Sequence, residues 1–368
     1  MAAIFAQHHR TNTILGRNLT HSPVIGAEEV CPAKIRVVGT VLSVIVIASI
    51  LGNLLVCLAV CTDKRLWKKS YLFIVSLAVA DLLVSCLVMS FAVYNEMHKH
   101  WPFGADFCRI WISFDIMCCT TSVLHLCLIA LDRFLQLRDP LLYFLWRTTP
   151  KVVGMILTAW IVSALISFLP TSFGWHEPFE EHNVVSETGM CLFEVNEVYA
   201  VTSSAVSFFI PCIVMVVIYA KVFGFARYHV LNMRKTNPVG VSNEKRATFK
   251  IRGSNTRRDS KAAVTLGVMI GAFLVCWLPF FVLNVIAPFC RTCLPPTVFR
   301  VLIWLGYFNS CLNPIIYSMF NTELRLALRN IVCPWTDERD SGPSVMQESV
   351  ASRMTRRTPT TGTIGTGV

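Results

Sequence analysis

The sequence predicts an all-α membrane protein, a bundle of seven transmembrane helices followed by a short amphipathic helix on the membrane surface. Of the 368 residues, 54% are hydrophobic and 15% are charged, whereas soluble domains carry about 25% charged residues. The apolar residues gather in runs that match the roughly 20 residues a helix needs to cross a bilayer. A third observation is that the loops between these runs differ in the sign of their charge.

Seven spans follow from the apolar runs. The clearest is the first, from Val37 to Cys61, which contains no charged residue. Because helices tilt and extend beyond the bilayer, we predict spans at residues 36–61, 70–96, 105–137, 150–172, 198–225, 261–288 and 297–319. Prolines in or near four spans are expected to bend them. Membrane spans tolerate proline because neighbouring helices re-satisfy the freed backbone groups. These are Pro170, Pro211, Pro279 and Pro314.

The charge of the loops orients the spans. The net charge is +11, and the linker between residues 227 and 261 holds ten Lys or Arg residues. Four further basic residues follow the first span: Lys64, Arg65, Lys68 and Lys69. The loop after the fourth span is acidic, with Glu177, Glu180, Glu181 and Glu187. Positive loops stay in the cytoplasm, so the N-terminus is predicted outside, at the plasma membrane. Basic segments between spans also argue against a nucleic-acid partner.

The chain is predicted to have three parts. Residues 1–35 are an extracellular tail without a cleaved signal peptide, and Asn18 in this tail lies in a glycosylation sequon. Residues 36–333 form the helical domain with its membrane-surface helix, which begins at Asn321 as N-cap and precedes Cys333, a palmitoylation candidate. Residues 334–368 are predicted to be a disordered cytoplasmic tail, and the linker 232–259 to be mobile.

Charged residues inside spans are costly, by roughly 2.5–3.5 kcal/mol even on lenient scales, and are therefore informative. Asp81 lies midway along the second span, and Asp115 lies seven residues after Cys108 in the third. A cation that enters from outside could pair with Asp115. Alternatively, Asp115 is a structural carboxylate that bonds to a neighbouring Tyr or Ser. Its position alone leaves both interpretations open.

Aromatic and serine residues in other spans favour the interpretation that Asp115 binds a ligand. Aromatic side chains occur at helical spacing in the sixth and seventh spans, and aromatic faces around a carboxylate form a cage for an organic cation. They are Trp277, Phe280, Phe281, Trp304 and Tyr307. Ser203, Ser204 and Ser207 in the fifth span can contact ligand hydroxyls. Plain packing of the aromatics and hydrogen bonds from the serines to their own helix are the alternatives.

These residues resemble the class A, rhodopsin-like G-protein-coupled receptors over residues 36–333, and the order and spacing of the motifs are highly specific. The motifs are Gly52-Asn53, Leu77 to Asp81, Trp101 to Gly104, Cys108, Asp132-Arg133-Phe134, Trp160, Pro211, Tyr219, Phe273, Cys276 to Pro279 and Asn313 to Tyr317. Within this family the chain is similar to biogenic-amine receptors. Residues 195–201 and 306–310 resemble beta-type octopamine receptors, residues 114–118 resemble Gs-coupled dopamine receptors, and Gs-coupled serotonin receptors are also similar.

The resemblance implies a role for each matching residue. The ligand-binding set is Asp115, Cys119, Ser203, Ser204, Ser207, Trp277, Phe280, Phe281, Asn284, Trp304 and Tyr307. The activation switch consists of Asp132, Arg133, Tyr219, Asp259, Asn313, Pro314 and Tyr317, with Arg133 paired to Asp132 and Asp259. Cys108 and Cys191 form a disulfide. An allosteric sodium ion is held by Asp81, Ser122, Asn309, Ser310 and Asn313, and no other cofactor is implied.

The resemblance further implies a phenolic or catechol amine as ligand, Gs as partner, and regulation by arrestin and receptor kinases. Thr366 to Val368 fits a PDZ ligand, although such short patterns are common by chance.

A serotonin or histamine receptor is the alternative within the fold. A transporter or channel would show inverted repeats, an opsin would carry a lysine in the seventh span, and an enzyme would show a nucleophile with its base; we find none of these patterns. Phe134, Leu324 and Asp259 depart from the family pattern and leave the basal activity open.

Overall fold

The structure of the chain, a computed structural model, describes residues 32–176, 190–191, 195–235, 243–290 and 295–333. Within these ranges the side chains at 32–35, 140, 146, 229–230, 232–235, 243–262 and 296 are not described. Three predictions therefore lie outside the described residues: glycosylation at Asn18, the disordered tail 334–368, and the PDZ ligand. The side chain of Asp259 lies outside them as well.

The described residues form eleven α-helices and no β-strand, so the predicted all-α fold is confirmed. The first four spans comprise α1 (Pro32–Thr62), α2 (Lys69–Leu83) with α3 (Ser90–His98), α4 (Gly104–Arg138), and α6 (Thr149–Ser172), with α5 (Pro140–Trp146) in the loop before α6. The last three comprise α7 (Glu197–Ser204) with α8 (Ile210–Lys235), α9 (Asn243–Ile286), and α10 (Pro296–Phe320), and the chain continues into α11 (Thr322–Val332).

Most helix ends lie within a few residues of the ends of the predicted spans. Six helices of the described part are long and apolar enough to cross a bilayer. The helix of the seventh span, α10, has 25 residues, or about 37 Å at 1.5 Å per residue. The largest difference is in α9, which begins at Asn243 rather than at residue 261. Residues 243–259, which belong to the linker 232–259, therefore have a helical backbone.

The third span lies at the centre of the bundle. About 72% of its most apolar window is buried in the protein, compared with 22% for the fourth span. Polar side chains of the spans turn toward the protein interior, because the alternative is lipid. Asn53 on the first span, for example, donates from Nδ2 to the carbonyl of Ser310 on the seventh at 3.0 Å. Asp115 and its neighbours therefore lie in the protein interior.

Two spans contain a π-helical turn that the sequence did not predict. One is Val84–Met89 between α2 and α3, and the other is Ala205–Phe209 between α7 and α8. A π turn inserts one residue into the helix, which rotates everything beyond it by about 100°. The outer half of the second span and the serine-bearing part of the fifth are thus turned relative to a regular helix.

Covalent and capping contacts fix the ends of the bundle. Cys108 and Cys191 form a disulfide with a Cα–Cα distance of 5.8 Å, so the implied pairing is present. Cys290 is also disulfide-bonded. Asn321 is the N-cap of α11 as predicted, and its Oδ1 accepts from the Leu324 amide at 3.2 Å. Cys333 follows this helix and is exposed.

Candidate ligand-binding site

Asp115 is fully buried on the third span. The Tyr307 hydroxyl on the seventh span donates to Oδ2 of Asp115 at 3.0 Å. The Cys119 thiol, one turn further along the same helix, donates to Oδ1 at 3.4 Å. Asp115, Cys119 and Tyr307, which the sequence placed in one ligand-binding set, are therefore in contact. Both of these donors are neutral groups.

Aromatic rings surround the Tyr307 end of this contact. The Trp304 ring meets Tyr307 edge to face at a centroid distance of 5.5 Å, and the Trp277 ring does so at 6.5 Å. Trp277 in turn packs against Phe280 and Phe281, with centroids at 6.0 and 5.9 Å. All five predicted aromatic residues thus belong to one connected cluster, in which the tyrosine hydroxyl reaches the carboxylate.

A glycine on the seventh span makes this packing feasible. A Cβ on Gly306 would lie 2.6–2.8 Å from three carbons of the Trp277 ring, which is closer than nonbonded carbon atoms approach. The absence of a side chain therefore lets the Trp277 ring lie directly on the backbone of the seventh span. Any residue other than glycine would push the ring away.

The three serines of the fifth span make different contacts. The Ser203 and Ser207 hydroxyls both donate at 2.5 Å to carbonyls of their own helix, those of Tyr199 and Ser203 respectively. Ser204 is fully buried, and its Oγ accepts from Nδ2 of Asn284 on the sixth span at 3.0 Å. Ser204 is therefore the one of the three that links two spans, and its own hydroxyl hydrogen is left to donate.

Two of the predicted sodium residues, Ser310 and Asn313, contact Asp81. This carboxylate is fully buried, and it accepts from Oγ of Ser310 and from Nδ2 of Asn313, each at 2.8 Å. The Ser122 hydroxyl donates to the carbonyl of Cys118 at 3.1 Å, and Asn309 is buried. The cluster offers one carboxylate with hydroxyl and amide oxygens, a donor set that suits a hard cation.

The inner end of the third span differs from the prediction that Arg133 pairs with Asp132. Arg133 donates from Nη1 to Oε1 of Gln136 at 3.1 Å. Asp132 instead accepts from the Tyr143 hydroxyl at 2.8 Å and lies 3.6 Å from Nε of Arg147, both in the following loop. Ser70 on the second span also donates to it at 3.0 Å, so Asp132 has two hydrogen-bond donors and one cationic neighbour from other elements. That expectation for Arg133 and Asp132 is therefore wrong.

The remaining switch residues lie where helices touch closely. A Cβ on Gly267 of the sixth span would collide with the Tyr219 hydroxyl, so this ring is wedged against the helix backbone. The ring of Pro314 packs on Gly52 of the first span, whose added Cβ would lie 3.0 Å away. Tyr317 is buried. The contacts of Tyr219 and Pro314 are thus packing contacts between neighbouring spans.

Sequence reasoning missed a cavity between the outer ends of the second and seventh spans. Its lining residues share two helical faces, one spaced i, i+3, i+4 and the other i, i+3, i+4, i+7. They are Ala92, Asn95 and Glu96 on one side, and Arg300, Ile303, Trp304 and Tyr307 on the other. The signal that could have found it is the opposite charge of Glu96 and Arg300 in the outer turns of two spans.

A buried carboxylate beneath an aromatic cluster, inside a bundle of membrane-crossing helices, defines the class of a multi-pass membrane receptor. Residues 52–317 match the family model described as "7 transmembrane receptor (rhodopsin family)", and the chain belongs to this family. The resemblance predicted from its motifs is confirmed.

Among relatives, Dopamine receptor 1 of Drosophila melanogaster is 42% identical over 88% of this chain and 69% of its own length. The 5-hydroxytryptamine receptor 4 of Homo sapiens is 39% identical over 84% and 83%, respectively. Octopamine receptor beta-1R of Drosophila melanogaster is 38% identical over 78% of this chain and 60% of its own length. All three carry the names of biogenic-amine receptors.

Proposed function

We propose that the chain is a plasma-membrane receptor for a phenolic or catechol amine, of the octopamine, tyramine, dopamine or adrenaline type. The N-terminus is extracellular, and the activated receptor stimulates Gs and raises cAMP. The observation that carries this proposal is the buried Asp115 carboxylate, held by Tyr307 beneath Trp304 and Trp277.

The chemistry of this arrangement favours a protonated amine. A buried carboxylate is stabilised by a cationic partner, and a charge-assisted hydrogen bond is about twice as strong as a neutral one. The aromatic faces add a cation–π attraction of about 0.5–2 kcal/mol. Asp115 therefore binds the ammonium group, and the aromatic cluster encloses it.

The opposite end of the ligand meets the fifth and sixth spans. Ser204 and Asn284 form a hydrogen-bonded pair there, and such a pair recognises a phenol or catechol hydroxyl. Ser203 and Ser207 keep oxygen lone pairs that can accept from a second hydroxyl, since each donates to its own helix.

A serotonin receptor is the second candidate. The Ser204–Asn284 pair can serve the single hydroxyl of an indole amine equally well, and one of the relatives carries a 5-hydroxytryptamine receptor name. The two candidates differ in ligand and not in fold or signalling.

The test is a cAMP assay in transfected cells against octopamine, tyramine, dopamine, adrenaline, serotonin and histamine. We expect a response to at least one phenolic or catechol amine and loss of that response in Asp115→Ala. Removal of one partner from a buried charge pair costs about 2–5 kcal/mol, or about 30-fold or more in potency. A surface-expressed receptor that responds to no amine would refute the ligand class, and unchanged potency in Asp115→Ala would make Asp115 structural.

Further partners complete the proposal. Arrestin and receptor kinases regulate the active receptor, and a PDZ domain binds its C-terminus. Cys333 carries a palmitoyl chain, because it is exposed at the end of α11, a helix that follows the seventh span directly.

We also propose that Na⁺ binds beside Asp81 and acts allosterically. Ser310 and Asn313 already orient both carboxylate oxygens, and a cation would neutralise a charge that is buried without a basic neighbour among these contacts. Agonist affinity should then fall when NaCl replaces choline chloride, and Asp81→Asn should remove this sensitivity. Equal salt dependence in both receptors would refute the sodium site.

A further inference from the structure

The turn at the outer end of the fourth span presents two backbone carbonyl groups to the fifth span. Gly174 follows α6 with a φ of +67°, a conformation that glycine adopts without strain. The Trp175 amide donates back to the carbonyl of Pro170 at 3.0 Å, the pattern of helix ends that finish with such a glycine. The carbonyls of Trp175 and His176 lie beyond the last helical turn, so they are available to donors of another element.

Asn196, at the start of the fifth span, binds both carbonyl groups. Its backbone amide donates to the carbonyl of His176 at 3.0 Å, and Nδ2 of its side chain donates to the carbonyl of Trp175 at 2.8 Å. The rings of His176 and Tyr199 add an edge-to-face contact with centroids 6.0 Å apart. The first turn of the fifth span is therefore tied to the end of the fourth, although Trp175 and Asn196 are 21 positions apart in the sequence.

The same side chain begins α7. Oδ1 of Asn196 accepts from the Tyr199 amide at 2.8 Å, which makes Asn196 the N-cap of this helix. An asparagine amide carries both an acceptor and a donor. Here the oxygen caps the helix, and the nitrogen holds the helix to the fourth span. The cap sets where α7 begins, whereas the bond to Trp175, a residue outside the helix, also restricts the rotation of α7 about its axis.

The rotation of α7 matters because this helix is short and ends beside the ligand site. It has eight residues, Glu197–Ser204, and the π turn Ala205–Phe209 follows. A π turn interrupts the regular hydrogen bonding of a helix, so the orientation of α7 depends on its own contacts. Ser204 at its inner end lies eight residues from Asn196, a rise of about 12 Å, and accepts from Asn284 on the sixth span. Contacts with the fourth and sixth spans thus hold the two ends of α7.

We propose that Asn196 is a positioning residue for the ligand site. Through the bond from Nδ2 to the carbonyl of Trp175, it holds α7 in the rotation that presents Ser204 to a ligand hydroxyl. Asn196 does not touch the ligand itself. This inference rests on the proposed amine function, in which Ser204 meets the hydroxyl end of the ligand. Loss of the bond should therefore weaken hydroxylated amines and spare the same amines without the hydroxyl.

Asn196→Ser separates the two roles of the side chain. Serine is an N-cap of about the same strength as asparagine, but it has no amide nitrogen for the carbonyl of Trp175. In the cAMP assay we expect the potency of the hydroxylated amine to fall about threefold to tenfold, the contribution of one hydrogen bond. The potency of its deoxy analogue should not change. Asn196→Asp keeps the shape and the cap but places a carboxylate oxygen against the carbonyl, so the loss should be at least as large.

A double-mutant cycle tests whether Asn196 acts through Ser204. In the Ser204→Ala background, Asn196→Ser should cause no further loss of potency for the hydroxylated amine. Glu197→Gln is the matched control, because Glu197 is exposed in the first turn of the same helix, and it should leave the potency of both amines unchanged. Surface expression and the melting temperature of each variant are measured in parallel.

The outcomes that overturn the positioning role differ from failure of the proposed function. Equal loss for both amines in Asn196→Ser would leave Asn196 as a helix cap only. Unchanged potency for both amines, or a full further loss in the Ser204→Ala background, would also overturn the positioning role. If the only active amine lacks a hydroxyl, the positioning role falls and the amine function stands. If the unmodified receptor responds to no amine at normal surface expression, both proposals fall together.

Discussion

The hydroxyl of Tyr307 lies 3.0 Å from Oδ2 of Asp115, and this hydrogen bond joins the seventh span to the third at the candidate amine site. The same tyrosine contacts both tryptophans of the aromatic cluster and lines the outer cavity. A ligand that binds Asp115 must therefore also affect the packing of the sixth and seventh spans.

Tyr307→Phe should weaken the binding of the amine by about tenfold. The substitution keeps the ring packing and removes the donor that orients Asp115, and a hydrogen bond to a charged group contributes about 1.5–3 kcal/mol. Competition binding with a radioligand measures this change. Trp304→Phe serves as the comparison, because it alters an aromatic contact without touching the carboxylate. Equal or larger loss in Trp304→Phe would show that packing, and not the hydrogen bond, dominates.

Ser204 and Asn284 should act as one unit toward ligand hydroxyls. Potencies of a hydroxylated amine and its deoxy analogue in Ser204→Ala, Asn284→Ala and the double variant form a double-mutant cycle. We expect a coupling of about 1 kcal/mol for the hydroxylated amine and almost none for the deoxy analogue. Thr202→Ala is the matched control, because Thr202 is exposed on the same helix and its hydroxyl donates to the carbonyl of Val198. Additive effects for both ligands would show that the pair does not contact the hydroxyl.

Arg147→Ala should raise basal cAMP about threefold to tenfold. Arg147 and Tyr143 hold Asp132 to the loop helix, and Arg147 also donates to Ser70 at 2.7 Å. Loss of these contacts at an enclosed site removes about 1 kcal/mol of restraint on the inner end of the third span. Surface expression is measured in parallel.

Tyr143→Phe should change basal signalling in the same direction. Burial, reinforced by the neighbouring charge of Asp132, raises the pKa of Tyr143 to about 12. Its hydroxyl therefore stays protonated and donates to Asp132 throughout the physiological range, so this contribution should not vary between pH 6 and 8. A basal activity that either variant leaves unchanged would show that the cluster does not restrain activation.

Gly306→Ala should destabilise the receptor and alter its efficacy. The added methyl group collides with the Trp277 ring, and overpacking of a buried site typically costs about 1–3 kcal/mol. The melting temperature of the detergent-solubilised receptor measures the stability. Gly271→Ala is the control, because a Cβ there meets nothing within 4 Å and alanine favours the helix by about 1 kcal/mol. Equal melting temperatures for the two variants would contradict the close packing of Trp277.

The sequence by itself determined the spans, and it predicted their orientation and the residues of the candidate site. Apolar length and loop charge are properties of consecutive residues, so they predict membrane crossing without knowledge of the bundle. Asp115 stood out for the same reason, since a carboxylate within an apolar run is costly wherever the helices pack.

Only the tertiary structure decided which side chains meet. The partners of Asp132, the Ser204–Asn284 pair and the Glu96–Arg300 pair each join elements that are separate in sequence. Such contacts depend on how each helix is rotated about its axis, and a single inserted residue in a π turn changes this rotation by about 100°. Neither π turn has a sequence signal that we recognised. The sequence could therefore place Glu96 and Arg300 near the outer surface, but not facing each other.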